Sequence, residues 1–282
     1  MSQSTALGTG SGSFGYPAPN AVVAESSLAA LWQHSRLQCG RLLLRWARDP
    51  ATMIQALIYP ALTLVMFRIV LGDSITAATG QPSIFGTVPM IVLVGAMFGS
   101  VVSAVGLRAE RESGLLSRFY TLPIHRSAGL VGRLMAEAVR VLVTSIVIFA
   151  AGVVMGFRFT QGIPATLLML VVPIVFGMGF AMMVTVLATL STKIPLVEMV
   201  SIVCTLLMFF NSGFVPVMAY PTWLQPIVAN QPMSCAIDSM RALAVGGPLA
   251  EPMIKTLGWS VGMFALFLVP AIRGYRRAAQ QG

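Results

Sequence analysis

The sequence predicts an all-α membrane protein with six transmembrane helices, an N-terminal interfacial helix and an outer re-entrant helical hairpin. Three observations lead to that class. Of 282 residues, 56% are hydrophobic and 10% are charged, against about 25% charged in soluble domains, and the mean hydropathy is +0.84. Apolar stretches near the roughly 20 residues needed to cross a bilayer recur along nearly the whole chain. Finally, the basic residues gather beside the ends of those stretches, although the net charge of +9 comes with no base-reading motif. That placement sets membrane topology and argues against nucleic acid as a partner.

Residues 1–25 hold no Lys or Arg, are rich in Gly, Ser and Ala, and lack the apolar stretch of a secretory signal. They read as an uncleaved, disordered cytoplasmic tail. Over 26–49, Arg36, Arg41, Arg45 and Arg48 interleave with Leu28, Leu31, Trp32, Leu42, Leu43, Leu44 and Trp46, the pattern of an amphipathic helix lying along the headgroups. The plainer account is a positive flank to the first span.

The membrane domain runs over 50–273, with spans at about 51–72, 87–107, 130–156, 164–191, 196–212 and 254–272, and a cytoplasmic tail at 274–282. With both ends inside, the arginines from Arg36 to Arg48, then Arg108, Arg111, Arg118, Arg126, Arg133, Lys193, Arg273, Arg276 and Arg277 are cytoplasmic. Only Arg158, Arg241 and Lys255 fall outside, in line with the positive-inside rule. Two arginines are left over: Arg68, near the outer end of the first span, snorkels outward, and Arg140 in the third pairs with Glu137 one turn away.

Two segments between spans carry information beyond topology. The cytoplasmic loop 108–126 mixes Glu110, Arg111, Glu112 and Arg118 with Leu115, Leu116, Phe119 and Tyr120, and Pro123 ends any helix there. Its charge pattern fits equally a short helix seated on another protein and one packed on the membrane surface. In the outer segment 213–250, Pro216, Pro221, Pro226 and Pro232 forbid one continuous helix. Short helices are expected at Thr222 to Ala229 and Met233 to Val245, with Asp238 and Arg241 one turn apart. Helices too short to span and too apolar for water suggest a hairpin dipping into the outer leaflet; a plain extracellular loop is the alternative.

Several chemistries lack their parts. There is no GxxxxGK[ST] loop, since the two lysines, Lys193 and Lys255, follow Thr192 and Ile254. The Gly8 to Gly15 cluster follows no strand, so it is a linker and not a nucleotide turn. His34 and His125 lie outside the spans, and Cys39, Cys204 and Cys235 have no metal-site or disulfide spacing. No internal repeat or pair of broken helices marks an inverted-repeat transporter.

Glu110, Glu112, Gly114, Leu116, Arg118 and the later Pro123 follow an E-x-E-x-G-x-L-x-R pattern. Ser212, Gly213, Pro216, Pro221, Trp223, Leu224, Pro226, Pro232, Arg241, Gly246 and Gly247 follow a longer outer pattern. On both, the chain resembles the permease subunits of type 2 ABC exporters, specifically the daunorubicin-resistance type of actinobacteria. The segments RWARD (45–49), GFRF (156–159) and GYRR (274–277) look most like the DrrC-type member.

The resemblance implies that Glu110, Arg111, Glu112, Gly114, Leu116, Arg118 and Pro123 form the helix that docks into a separate ATPase. It likewise implies that Gly213, Pro216, Pro221, Trp223, Pro226, Pro232, Asp238 and Arg241 form an outer gate. The implied partners are two copies of a DrrA-like ABC ATPase, which would bind ATP and Mg, and a DrrB-like second permease or a second copy. In mycobacteria such systems are associated with envelope lipids.

No cofactor is expected on this chain itself, and membrane lipids surround it. The expected function is the membrane-spanning part of an ATP-driven exporter in the bacterial inner membrane, moving an amphipathic lipid or hydrophobic drug outward. An ion-coupled transporter of a hydrophobic solute and a lipid-modifying membrane enzyme are the rivals, and both lack their chemistry in this sequence.

Overall fold

The computed structural model describes residues 27–80, 82–120, 124–190 and 196–280, and every regular element among them is helical. The tail expected over 1–25, together with Pro123 and Lys193, lies outside the described residues.

Helix α1 (Leu28–Arg48) opens at Ser27, whose Oγ accepts the Ala30 N–H at 3.1 Å. This satisfies one of the donors that a helix start leaves without a partner. Asp49 ends α1 and caps α2 (Pro50–Met53) by accepting the N–H groups of Ala51 and Thr52. Pro50 sits in the first turn, where its missing N–H costs nothing. A π-helical turn, Ile54–Ile58, leads into α3 (Tyr59–Thr79), whose second residue is Pro60. A proline cannot donate to the preceding turn, and the widened turn lies where that bond would be missing. Together these pieces make one crossing, Pro50–Ala77.

Helices α4 (Ile84–Glu112), α6 (Ala128–Val154) and α7 (Gly162–Leu190) form the centre. Their apolar stretches are 56, 44 and 56% buried within the protein, against 11% for the crossing Pro50–Ala77 and 11% for Ala250–Tyr275. Met90, Leu93, Met97, Ile148, Phe176 and Met182 fill the space between them. The last helix, α11 (Ala250–Gln280), packs along α7. At that contact a Cβ on Gly179 would stand 2.7 Å from the Ser260 carbonyl oxygen, so only glycine lets the two backbones meet there. Residues 274–280, expected as tail, continue α11 to Gln280.

Among the described residues, five helices are long and apolar enough to cross a membrane. Within the remaining expected span, 196–212, lies α8 (Leu196–Phe209), with 14 residues. It rises about 21 Å against a hydrocarbon core of about 30 Å. Asn211 breaks it: its side-chain amide turns back to the Leu207 carbonyl at 3.2 Å, while its Oδ1 accepts the Gly213 N–H at 2.7 Å. That local bonding competes with helix continuation.

Between α8 and α11 lie a turn at Val217–Ala219, α9 (Gln225–Asn230) and α10 (Pro232–Val245). Pro226 and Pro232 occupy first-turn positions, so the same prolines that forbid one helix start two. Helix α10 buries Met233, Ala236, Ile237, Met240 and Ala244 against α4, α7 and α11.

Candidate functional site

The segment after α4 turns at Gly114, whose φ of +68° suits glycine and strains other residues. It continues as α5 (Leu115–Tyr120). The residues expected to dock an ATPase divide into two sets. The Glu112 side chain is 64% exposed and Arg118 is exposed, so both lie on an outer face. Leu116 is buried, and Arg111 reaches inward to the Thr189 carbonyl at 3.2 Å.

Glu110 also turns inward and is 4% exposed. Its carboxylate meets Arg41 at 3.0 Å and Arg45 at 3.3 Å, both from α1, and Arg133 of α6 at 2.5 Å. The sequence placed Arg41 and Arg45 as headgroup contacts and Arg133 as a topology signal; the fold makes all three partners of one acid. Nothing in the local spacing announces this, since the pairs span 69, 65 and 23 residues. Arg41 also lies 4.8 Å over the Phe119 ring, joining α1 to α5 by a cation–π contact. Helix α5, the end of α4, α1 and α6 therefore meet through one charged cluster.

Deeper in α6, Glu137 pairs with Arg140 as the helical spacing foretold and accepts a hydrogen bond from Ser100 Oγ at 2.7 Å. Arg68, in the crossing Pro50–Ala77, pairs with Asp73 at 3.3 Å. A cleft of 160 Å³ runs beside these groups, lined by Arg45, Trp46, Ser103, Arg133, Glu137 and Arg140 among others. At its rim the Thr52 hydroxyl, hydrogen-bonded to Asp49 at 2.5 Å, leads the backbone N–H groups in holding the Asp49 carboxyl below the usual carboxylate range. Among the described residues no three His, Cys, Asp or Glu side chains converge as a metal site would require.

At the opposite end, Asp238 and Arg241 of α10 pair at 3.3 Å. Ser212, after α8, donates to Asp238 at 2.8 Å, and its carbonyl accepts from Arg241 at 2.6 Å. Burial pushes the Asp238 carboxyl upward, opposed by Arg241 and by the Ser212 hydroxyl. A Cβ at Gly86 of α4 would stand 2.9 Å from the Arg241 guanidinium and would also strike the Gly213 carbonyl. Gly86 and Gly213 therefore mark a close backbone contact under a second cleft of 210 Å³, which Ser83, Phe85, Pro216 and Arg241 help to line. Trp259 of α11 donates to the Asn230 carbonyl at 2.8 Å, tying the end of α9 down. Thr160 holds the Ala244 carbonyl through its N–H and hydroxyl, next to the packed rings of Phe85, Phe149, Phe157 and Phe159. Trp223 is 70% exposed, while Pro216 and Pro221 are exposed turn residues.

A helical protein with several membrane crossings, a short helix carried on one inter-helix loop and a proline-divided helical segment at the other end has the build of a membrane-embedded transport component. The chain belongs to the ABC-2 type transporter family, which its residues 36–245 match. It is 44% identical, over 86% of its length and 88% of the relative's, to the probable doxorubicin resistance ABC transporter permease protein DrrC of Mycobacterium tuberculosis. The daunorubicin resistance ABC transporter permease protein DrrB1 of Streptomyces coeruleorubidus is 26% identical, with 91% of this chain and 88% of that one covered. A putative transport permease, ycf38, of Porphyra purpurea is 28% identical over 71% of this chain and 70% of its own.

Proposed function

We propose that this chain is the membrane-spanning permease of an ATP-driven exporter in the bacterial inner membrane. The observation that carries this reading is the 44% identity to a DrrC permease across most of both chains. With no phosphate loop in the sequence, ATP and Mg would be bound by two copies of a separate, DrrA-like ATPase. A DrrB-like permease, or a second copy of this chain, would complete the path. Glu112, Arg118 and the turn at Gly114 form the face that meets the ATPase. Glu110 and Arg41 act behind that face, passing its movement to α1 and α6.

Cargo moves outward and is amphipathic, an envelope lipid or a large hydrophobic drug. The partly exposed Met155, Met178, Met183 and Met208 offer adaptable apolar surface for such a body, with Met97 and Met182 buried behind them, whereas a strongly hydrated ion or sugar would lose its water along them. The segment 213–250 is a hairpin held in the outer leaflet that gates release, in keeping with the apolar burial of α10.

Detergent extraction of the native complex with mass spectrometry of co-purifying chains tests the assignment. A stoichiometric ABC ATPase is expected; an isolated permease, or one bound only to ion-coupled components, would overturn it. Comparison of surface lipids and anthracycline accumulation between a deletion strain and its parent tests the cargo. Loss of a small hydrophilic solute's export with both unchanged would refute it.

A further inference from the structure

The cleft between α1, α4 and α6 combines three features beyond the contact of Glu110 with Arg41. The first is charge. Arg45, Arg133 and Arg140 line the cleft with Asp49, Glu110 and Glu137, and Arg41 joins from beside it through Glu110, so four guanidinium groups meet three carboxylates. The carboxylates are already engaged: Asp49 by the cap of α2, Glu110 by three arginines and Glu137 by Arg140 and Ser100. One positive charge is left over.

The second feature is an unused donor. The indole N–H of Trp46, which lines the cleft, is buried and has no hydrogen-bond partner; the Nε–H of the deeply buried Arg133 likewise has none. A buried donor without an acceptor is destabilising, so an incoming acceptor would be favoured. The third is the wall. Leu42, Leu43, Val102 and Ala136 line the same cleft, so a ligand with an apolar body beside its charge fits better than a free ion. Gly132 lets α6 approach α1 closely, since a Cβ there would stand 2.7 Å from the Ser35 carbonyl oxygen.

We infer that this cleft binds the phosphodiester headgroup of an anionic membrane phospholipid. The headgroup lies between Arg45 and the Trp46 indole, and its acyl chains lie against the apolar wall. A phosphodiester carries the single negative charge that balances the cluster, and α1 has the amphipathic sequence of a helix at headgroup depth. The inference does not depend on the cargo or on the ATPase.

Arg36 supplies a matched control. It lies nine residues before Arg45 on α1, so at about 100° per residue it falls on the opposite face, and it is exposed. Arg45, with a side chain 60% exposed, can be changed without opening the core. The experiment is native mass spectrometry of the full chain, purified in detergent with its accompanying subunits. It is titrated with phosphatidylglycerol, with phosphatidylcholine of the same acyl chains, and with inorganic phosphate as competitor.

The expected result is preferential retention of phosphatidylglycerol, weakened roughly tenfold by R45Q and about fivefold by W46F, and unchanged by R36Q. Equal weakening by R36Q and R45Q would show diffuse surface attraction and overturn the site. Equal retention of phosphatidylcholine would overturn it too, and displacement of the lipid by inorganic phosphate would reassign the cleft to a free anion.

Discussion

At the scale of single residues, the charge on Glu110 has the most consequences. Its carboxylate offsets Arg133, whose side chain is 8% exposed, as well as the more accessible Arg41 and Arg45. Removing one partner of a buried ion pair leaves the other desolvated and uncompensated, a loss of about 3–5 kcal/mol. Glu110→Gln is therefore expected to lower the thermal unfolding midpoint of the detergent-purified protein, with a cost on the order of 3 kcal/mol. Exposed Glu112→Gln should leave the midpoint almost unchanged, because a surface pair contributes about 0–1 kcal/mol. Equal midpoints for the two variants would mean that the cluster does not hold α1 to the bundle. Arg133 shows the limit of local reading: a positive flank and a buried ion-pair partner look the same until the helices that meet it are known.

Helix α5 is short and gains its position from neighbours at the scale of elements. Leu116 anchors it, Phe119 is held under Arg41, and Gly114 sets its angle to α4. The exposed side then carries the charges proposed to meet an ATPase. Glu112→Arg or Arg118→Glu should leave membrane insertion intact and weaken co-purification with the ATPase. Losing a charge-assisted contact at an interface costs about 2 kcal/mol or more, roughly thirtyfold in affinity. Undiminished co-purification and transport-stimulated ATPase activity in both variants would remove α5 from the coupling role.

The proline-divided segment gives the matching test at the other end. Trp223 is exposed to the surroundings although α10 is packed inward, the disposition of an indole that anchors at a membrane interface. Trp223→Ala should reduce export more than it reduces ATP binding by the complex. Normal export, with water-accessible labelling throughout 216–245, would make the segment a plain loop.

For the whole molecule, α4, α6 and α7 form an interior while α3 and α11 present large apolar faces, including Leu62, Met66 and Ile69 on one and Val261, Leu266 and Val269 on the other. The arginines of α1 and those ending α11 are expected on one side, the cytoplasm, because charges flanking the first and last spans follow the positive-inside rule. The parity turns on α8. Five long crossings alone would separate the ends, whereas a short α8 completed by its flanking residues as a sixth crossing would reunite them. Cysteine labelling in intact cells at positions near Arg36 and Arg277 measures this directly, and an outside label at either end would reject the proposed topology.

The sequence by itself determined the class. Apolar length and charge placement are properties of contiguous residues, so the crossings within Pro50–Ala77, Ile84–Glu112, Ala128–Val154, Gly162–Thr189 and Ala250–Tyr275 were each legible. So were the Glu137–Arg140 pair one turn apart and the division of the segment before α11 by its prolines. Helical propensity could not reveal that Asn211 would spend its side chain on the Leu207 and Gly213 backbones and stop α8 short. Only the tertiary structure decided which charges face inward. Glu110 and Arg41 are 69 residues apart, and Ser212 and Asp238 are 26 apart. Such pairs form because helix packing brings their elements together, and desolvation then makes each charge require its partner.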